Sequence, residues 1–152
     1  MSVNDRLQEL GIELPAAPPP VGAYVPWVRT GNLIITSGQL PWQDGEMLHP
    51  GRLGAEVSDE QGFEAARVAA INAIAQLRDA VGDLEHIHRL VRLEGYVHCA
   101  AGYRGHPQVL NGASELLVAV FGERGRHTRT ALGIADMPLD APVQLILWAE
   151  AA

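Results

Sequence analysis

The residues best suited to chemistry cluster in the segment Arg124-Gly125-Arg126-His127-Thr128-Arg129, which holds three arginines within six positions. The chain as a whole is acidic, with 11 Lys and Arg against 18 Asp and Glu and a formal charge of −7. Guanidinium groups bind carboxylates through two parallel hydrogen bonds. The segment therefore predicts a local site for a small anion. The alternative is a solvated loop whose arginines pair with nearby carboxylates.

Arg129 differs from the other two arginines in its predicted secondary structure. It falls at the start of the run Thr128 to Ala135, whose β-branched and apolar residues predict a strand. A sheet would hold its guanidinium in a fixed place, where it could bind a carboxylate bidentately. Arg124 and Arg126 precede the strand and are expected to be loop residues of lesser importance.

Other catalytic motifs are missing from the sequence. Ser37 lacks the glycine two positions earlier that a nucleophile elbow needs, and no glycine-rich loop joins a strand to a helix. His86 and His88 are two residues apart, where a helix would need three or four to share a metal, so no metal site is predicted. The single cysteine, Cys99, excludes an internal disulfide and is expected to be a small buried hydrophobe.

Length and composition predict one ordinary globular domain. The chain has 152 residues, of which 47% are apolar and 19% are charged, so it should bury a full core. No apolar run approaches 18 residues, and Met1 to Leu14 is too polar for a signal peptide, which favours the cytoplasm and no membrane partner. The negative charge repels phosphate backbones, so no nucleic-acid partner is expected.

Two helices and a leading arm are predicted from their boundary residues. Residues 1–20 form an N-terminal arm with a short helix over Asn4 to Leu10 and an extended proline-rich segment, and residues 21–152 form the single domain. Ser58 followed by Gln61 fits a capping box, which predicts a helix that ends at Gly82. A second helix should begin near Pro107 and end at Gly122.

Five strands complete the prediction. They are Trp27 to Arg29, Leu33 to Ser37, Leu90 to His98, Thr128 to Ala135 and Val143 to Ala149. A loop should run from Gln43 to about Val57. Within the third strand, alternation places Leu90 on the same face as Arg92, Glu94 and Tyr96. The order β-β-α-β-α-β-β predicts an α+β fold in which two helices cover one face of a mixed sheet.

The last strand predicts an assembly. Val143, Leu145 and Leu147 alternate with Gln144, Ile146 and Trp148, so both faces of this strand are largely apolar. Two helices can cover only one face of the sheet. A second copy of the same sheet is the simplest cover for the other face, which predicts a homo-oligomer.

Several stretches of the chain form a pattern that is specific when its parts are taken together. They are Tyr24, the run Gly31-Asn32-Leu33-Ile34-Ile35-Thr36-Ser37-Gly38-Gln39-Leu40-Pro41, Asn111, Arg129-Thr130-Ala131 and Pro138. Pro138 lies nine residues after Arg129 and is followed by a final apolar strand. Over roughly Val21 to Ala149 the chain thereby resembles the RidA or YjgF-type reactive intermediate deaminases, also called the L-PSP family.

This resemblance implies a chorismate-mutase-like fold and a homotrimer whose sheets form a central barrel with three clefts between subunits. It also implies a cofactor-free deaminase that hydrolyses an enamine or imine such as 2-aminoacrylate to a 2-keto acid and ammonia. Arg129 would bind the substrate carboxylate, and the backbone of Ala131 would contact the substrate. The residues implied to line or support the cleft are Tyr24, Ser37 and Asn111.

One position departs from the family pattern. Fifteen residues after the arginine, where the deaminases carry a glutamate that engages the attacking water, this chain has Gln144. A trimer that binds small carboxylates without turnover is therefore the alternative function. A third alternative function is the endoribonuclease activity attached to the L-PSP name, and the net negative charge of the chain disfavours it. The N-terminal arm and the loop from Trp42 to Glu56 also set the chain apart.

Overall fold

A five-stranded mixed sheet carries the helices on one face in the computed structural model, which describes residues 1–152. Its elements follow the chain in the order α1 (Val3–Glu9), β1 (Trp27–Thr30), β2 (Leu33–Thr36), β3 (Trp42–Gln43), β4 (Glu46–Met47), α2 (Asp59–Val81), β5 (Ile87–His98), α3 (His106–Phe121), β6 (Thr128–Ile134) and β7 (Val143–Ala151). This is the predicted α+β class. Its mixed sheet matches the chorismate-mutase-like fold. The three helices are the two expected in the domain and α1, which corresponds to the short helix expected over Asn4 to Leu10 in the N-terminal arm.

The strand order in the sheet is β1-β2-β7-β5-β6. β5 and β6 run parallel, and the other pairs are antiparallel. β6 is consequently an edge strand at one side of the sheet, and β1 is the edge strand at the other. None of the helices combines the length and the hydrophobicity that a membrane-spanning helix requires.

The two long helices begin and end at the predicted residues. In α2 the Ser58 hydroxyl accepts a hydrogen bond from the Gln61 amide at 3.2 Å, and the Gln61 side chain accepts one from the Ser58 amide at 3.0 Å. This capping box satisfies backbone donors that the first turn leaves free. The helix ends at Gly82, whose φ of 79° is costly for other residues. Pro107 lies in the first turn of α3, as expected.

The helices cover one face of β7 only. Val143, Leu145 and Leu147 are fully buried in the main core, whereas Gln144 and Trp148 lie on the opposite face and are half-buried. α3 approaches the sheet closely at Gly95, where a Cβ would stand 2.5 Å from the Leu110 side chain. Within one chain, no helix covers the face of the sheet that carries Gln144 and Trp148, as predicted.

Two local predictions were wrong. Leu90 lies in the core with Leu93, on the face opposite Arg92, because a register irregularity between Leu90 and Arg92 interrupts the alternation of β5. The expected loop after Trp42 contains the hairpin β3-β4, with a two-residue turn at Asp44 and Gly45. Their φ values of 52° and 79° fit a hairpin turn that requires positive φ at both positions.

Candidate active site

Arg124 and Arg126 match the alternative given for this segment, in which its arginines pair with nearby carboxylates. Nη2 of Arg124 lies 3.2 Å from the Glu85 carboxylate, and Nη1 donates to the carbonyl of Ile87 at 2.9 Å. Arg126 lies 3.4 Å from the carboxylate of Glu123. Both arginines have a carboxylate neighbour at the surface, so the charge of each is compensated within the chain.

Arg129 has only neutral partners. Nη1 donates to Oδ1 of Asn111 at 2.8 Å and to Oγ of Ser114 at 3.2 Å, and Nη2 donates to the carbonyl of Pro107 at 3.4 Å. All three acceptors belong to α3, which therefore fixes the guanidinium against the edge strand β6. No carboxylate lies within 4.0 Å of it, so its positive charge is not compensated within the chain.

The hydrogen bonds of Arg129 leave one edge of the guanidinium available. An arginine side chain has five N–H donors in a planar fork. Three are used by α3, and Nε together with the second Nη2 hydrogen forms no hydrogen bond within the chain. Nε and Nη2 are adjacent and parallel donors, which is the arrangement that binds both oxygens of a carboxylate.

Ser114 and His127 extend this network and were not foreseen as site residues. The Ser114 hydroxyl lies 2.9 Å from Nε2 of His127, and Nδ1 of His127 lies 2.6 Å from the carbonyl of Gly125. A carbonyl only accepts, so Nδ1 carries the proton and Nε2 of the neutral ring accepts from Ser114. Burial lowers the pKa of His127, the charge of Arg129 lowers it further, and the bond to Gly125 opposes both effects. His127 is accordingly neutral near pH 7.

Ala131 lies on the same side of β6 as Arg129. The register places Arg129 opposite Leu93 and Ala131 opposite Gly95, and both partners in β5 face the helices. Ala131 is partly buried against the core. Arg129, Asn111 and Ala131 thus form one group at the outer edge of β6.

Tyr24 and Ser37 form a second group at the other end of the sheet. The Ser37 hydroxyl donates to the carbonyl of Val25 at 2.6 Å, and its amide donates to the carbonyl of Pro26 at 2.8 Å. Tyr24 is half-exposed. Tyr24 and Ser37 line one small cavity of about 30 Å³.

Gln144 belongs to this second group through Gly38. A Cβ on Gly38 would stand 1.9 Å from Oε1 of Gln144, so the absence of a side chain at Gly38 makes room for the amide. Nε2 of Gln144 lies 3.4 Å from the sulfur of Met137. The backbones of Gln39 and Leu145 exchange hydrogen bonds of 2.6 and 2.9 Å, which fixes this part of the chain against β7.

The two groups do not meet within one chain. Ser37 follows β2, and three strand spacings separate β2 from β6, a distance of about 14 Å. In addition, Arg129 faces the helices whereas Gln144 faces the opposite side of the sheet. The structure brings together Arg129, Asn111 and Ala131, and separately Tyr24, Ser37 and Gln144.

Cys99 lies outside both groups. It was predicted to be buried, but it is partly exposed, and its sulfur lies 3.4 Å from Nε2 of His106. The end of β5 and the start of α3 bring the two side chains together. A cysteine at the end of a strand, rather than in its middle, escapes full cover by the helices.

The chain matches known proteins over almost its full length. A family model described as "YjgF/chorismate mutase-like, putative endoribonuclease" matches residues 4–151. Protein TCP17 of Trypanosoma cruzi is 41% identical over 144 residues, which cover 94% of this chain and 90% of that protein. A protein of Shewanella oneidensis with a crystal structure, described as a "putative endoribonuclease", is 40% identical, with a TM-score of 0.96 and 99% of each chain covered.

A more distant structure shares the fold. RidA from an Antarctic Psychrobacter is 24% identical, with a TM-score of 0.62, and the match covers 88% of this chain and 93% of that one. The family model and the 41% identical relative both span far more than half of the chain. The chain therefore belongs to the YjgF/chorismate mutase-like family.

Proposed function

We propose that this protein hydrolyses small enamines and imines that carry a carboxylate, giving a 2-oxo acid and ammonia without a cofactor. The observation that carries the proposal is the state of Arg129, whose guanidinium is held by three neutral acceptors and keeps Nε and one Nη2 donor on a common edge. A fixed, uncompensated guanidinium suits a ligand that presents two oxygen acceptors side by side, as a carboxylate does.

The chemistry needs little beyond orientation. An enamine such as 2-aminoacrylate first takes a proton on its terminal carbon and becomes an iminium ion. Water then adds to the iminium carbon, its oxygen forms the new C–O bond, and the C=N electron pair goes to nitrogen. After one proton moves from oxygen to nitrogen, the C–N bond breaks and ammonia leaves. The remaining hydroxyl proton returns to the solvent, which restores the proton taken up in the first step and leaves a C=O bond. The imine is already electrophilic, so holding the carboxylate and the water in place supplies much of the rate gain.

The complete site requires a second copy of the chain in this proposal. Arg129 and Gln144 lie on opposite sides of the sheet and are separated by two strand spacings, about 10 Å, so one chain cannot place both against one small substrate. Leu132 and Ile146 add to an apolar surface on the face without helices. A homotrimer would cover this face and bring Arg129 of one chain to Tyr24, Ser37 and Gln144 of its neighbour.

A trimer that binds small carboxylates without turnover is the second candidate, and Gln144 favours it. The Gln amide can hold a water molecule, but it cannot take a proton from it. General-base assistance contributes about 10²-fold to 10⁴-fold to proton transfer steps. A protein with Gln at this position would then keep the affinity for the ligand while losing most of the hydrolysis.

A direct assay distinguishes the two candidates. The purified protein is mixed with freshly generated 2-aminoacrylate or 2-iminobutyrate, and the loss of the imine is followed against the spontaneous rate. The proposal expects faster loss with the wild-type chain and the spontaneous rate with Arg129→Ala. Tight binding of 2-oxobutyrate together with no acceleration of imine loss would establish the ligand-binding candidate instead.

A further inference from the structure

A large pocket, open to solvent on one side, lies alongside the proline-rich segment of the N-terminal arm. We call it the arm pocket and define it by six residues on its wall. Its volume is about 480 Å³, which falls within the size range of ligand sites. The six residues, all apolar or aromatic, are Pro15, Ala16, Pro18, Pro19, Val21 and Trp42.

The polar residues on its wall leave the pocket apolar in character. Asn72 reaches the wall, but its Nδ2 donates to the carbonyls of Leu40 and Trp42 at 2.9 and 3.0 Å. Asp44 lies in the exposed turn between β3 and β4, where water solvates its carboxylate. An apolar group inside the pocket would therefore displace water from proline, alanine and indole surface, which is favourable.

Both sides of the arm pocket are held in place. On one side, Nε2 of Gln76 donates to the carbonyl of Pro18 at 2.7 Å, and Arg78 donates to the carbonyl of Pro15 at 2.9 Å. The proline rings restrict φ and keep the segment extended. On the other side, Trp42 pairs with Met47 in the β3-β4 hairpin. A preformed pocket of this kind binds an apolar group without the cost of ordering its walls.

The arm pocket is next to the cavity that Tyr24 and Ser37 line. Pro18, Pro19 and Trp42 are on the walls of both cavities, and so is Val21. The cavity at Tyr24 and Ser37 measures about 30 Å³, room for about one water molecule, whereas about 150 Å³ is enough to hold benzene. A side chain larger than a few atoms does not fit in the cavity at Tyr24 and Ser37, and the arm pocket is a neighbouring space with room for it.

We propose that the arm pocket is the subsite for the side chain of the substrate and that it takes an aromatic or branched apolar group. The substrate class is then a 2-imino acid with a large apolar side chain rather than the three-carbon 2-aminoacrylate. This inference rests on the proposed function, because it assumes that a carboxylate lies near Tyr24 and Ser37 on the Arg129 of a neighbouring chain. It gives the arm and the β3-β4 hairpin a joint role in specificity.

Affinities for stable 2-oxo acids test the inference. Pyruvate, 2-oxobutyrate, 4-methyl-2-oxopentanoate and phenylpyruvate share the carboxylate end and differ in the side chain. Burial of one methylene is worth about a fourfold gain in affinity, so we expect the two large acids to bind at least about tenfold more tightly than pyruvate in titration calorimetry.

A pair of neighbouring substitutions locates the subsite. Ala16 lies on the wall of the arm pocket and is exposed, whereas Ala17 does not line the pocket. Ala16→Phe should fill the pocket and remove the preference for phenylpyruvate while leaving pyruvate binding unchanged. Ala17→Phe makes the same chemical change beside the pocket and should retain the preference. Circular dichroism verifies that both variants are folded.

The outcomes separate this inference from the proposed function. Equal affinity for all four acids, or weaker binding of the large ones, overturns the subsite and leaves carboxylate binding intact. A preference for large acids that survives Ala16→Phe in a folded protein also overturns it. If none of the four acids binds the wild-type chain, the proposed carboxylate site itself is wrong, and the subsite is rejected with it.

Discussion

Arg129 and Asn111 are joined by a hydrogen bond of 2.8 Å between Nη1 and Oδ1, which ties the edge strand β6 to α3. The acceptor is a neutral amide, so the bond orients the guanidinium without cancelling its charge. A carboxylate at position 111 would orient it equally well but would neutralise it. Substitutions at position 111 can therefore separate the effect of positioning the guanidinium from the effect of its free charge.

Two substitutions at position 111 use this difference. Asn111→Ala removes one hydrogen bond, worth about 0.5–1.5 kcal/mol, and should weaken the binding of 2-oxobutyrate roughly two- to tenfold. Asn111→Asp keeps an acceptor but pairs with Arg129, so binding should fall further than in Asn111→Ala. Calorimetric titration of both variants gives the comparison. Tighter binding by Asn111→Asp than by Asn111→Ala would mean that the free charge of Arg129 is not what binds the ligand.

Gln144 controls the rate rather than the affinity in this account. Gln144→Glu introduces a group that can accept the proton of the attacking water, and the rate of imine loss should rise by up to about 10²-fold to 10⁴-fold at neutral pH. Gln43→Glu makes the same change at an exposed position of β3 and should have no effect. An unchanged rate in Gln144→Glu would assign Gln144 a purely structural role at the boundary between subunits.

His127 makes stability depend on pH. Burial, assisted by the charge of Arg129, lowers its pKa in the folded chain, so the unfolded chain binds a proton at a higher pH than the folded one. His127 contributes fully to the free energy of unfolding at pH values above the pKa of the unfolded chain, about 6.5. This contribution is lost as the pH falls through the lower pKa of the folded chain.

Urea unfolding of the wild-type chain and His127→Gln over pH 7.5 to 5 measures this effect. The glutamine can accept from Ser114 but does not titrate in this range. We expect the difference in unfolding free energy between the two proteins to shift in favour of His127→Gln as pH falls. Parallel pH profiles for the two proteins would show that His127 keeps its ordinary pKa.

Neighbouring residues of β7 test the assembly. Leu147 is fully buried beneath the helices, whereas Ile146 faces the side of the sheet that has no helical cover. Leu147→Asp should prevent folding because it buries an unpaired charge. Ile146→Asp should leave a folded monomer by circular dichroism and analytical ultracentrifugation, where the wild type should sediment as a trimer. A wild-type chain that sediments as a stable monomer, or a trimer that tolerates Ile146→Asp, would contradict the proposed assembly.

Local signals predicted the elements well because they act over a few residues. The Ser58 capping box, Gly82 and Pro107 marked the ends of the long helices through backbone requirements that do not depend on the rest of the fold. The register irregularity near Leu90 was missed, since periodicity alone assumes an uninterrupted strand. The β3-β4 hairpin carried a signal in Asp44-Gly45, but strands of two residues are too short for an alternation pattern to be detected.

The site was predictable in part. Arg129 was distinguished from Arg124 and Arg126 by its place on a strand, and the structure adds that the other two have carboxylate partners. Asn111 was identified only through the family resemblance. Ser114 and His127 could not be found from the sequence, because they are 13 residues apart and meet only when α3 packs beside β6.

The central claim is that Arg129 binds a carboxylate through its free edge, and calorimetric titration with 2-oxobutyrate tests it most directly. A charge-assisted bidentate pair is worth on the order of 1.5–3 kcal/mol, so Arg129→Ala should weaken binding roughly 10- to 150-fold. Arg129→Lys should recover little of that loss, because an ammonium group lacks the fork. The control Arg126→Ala should bind like the wild type. Equal affinity of the wild-type chain and a folded Arg129→Ala variant would contradict the account.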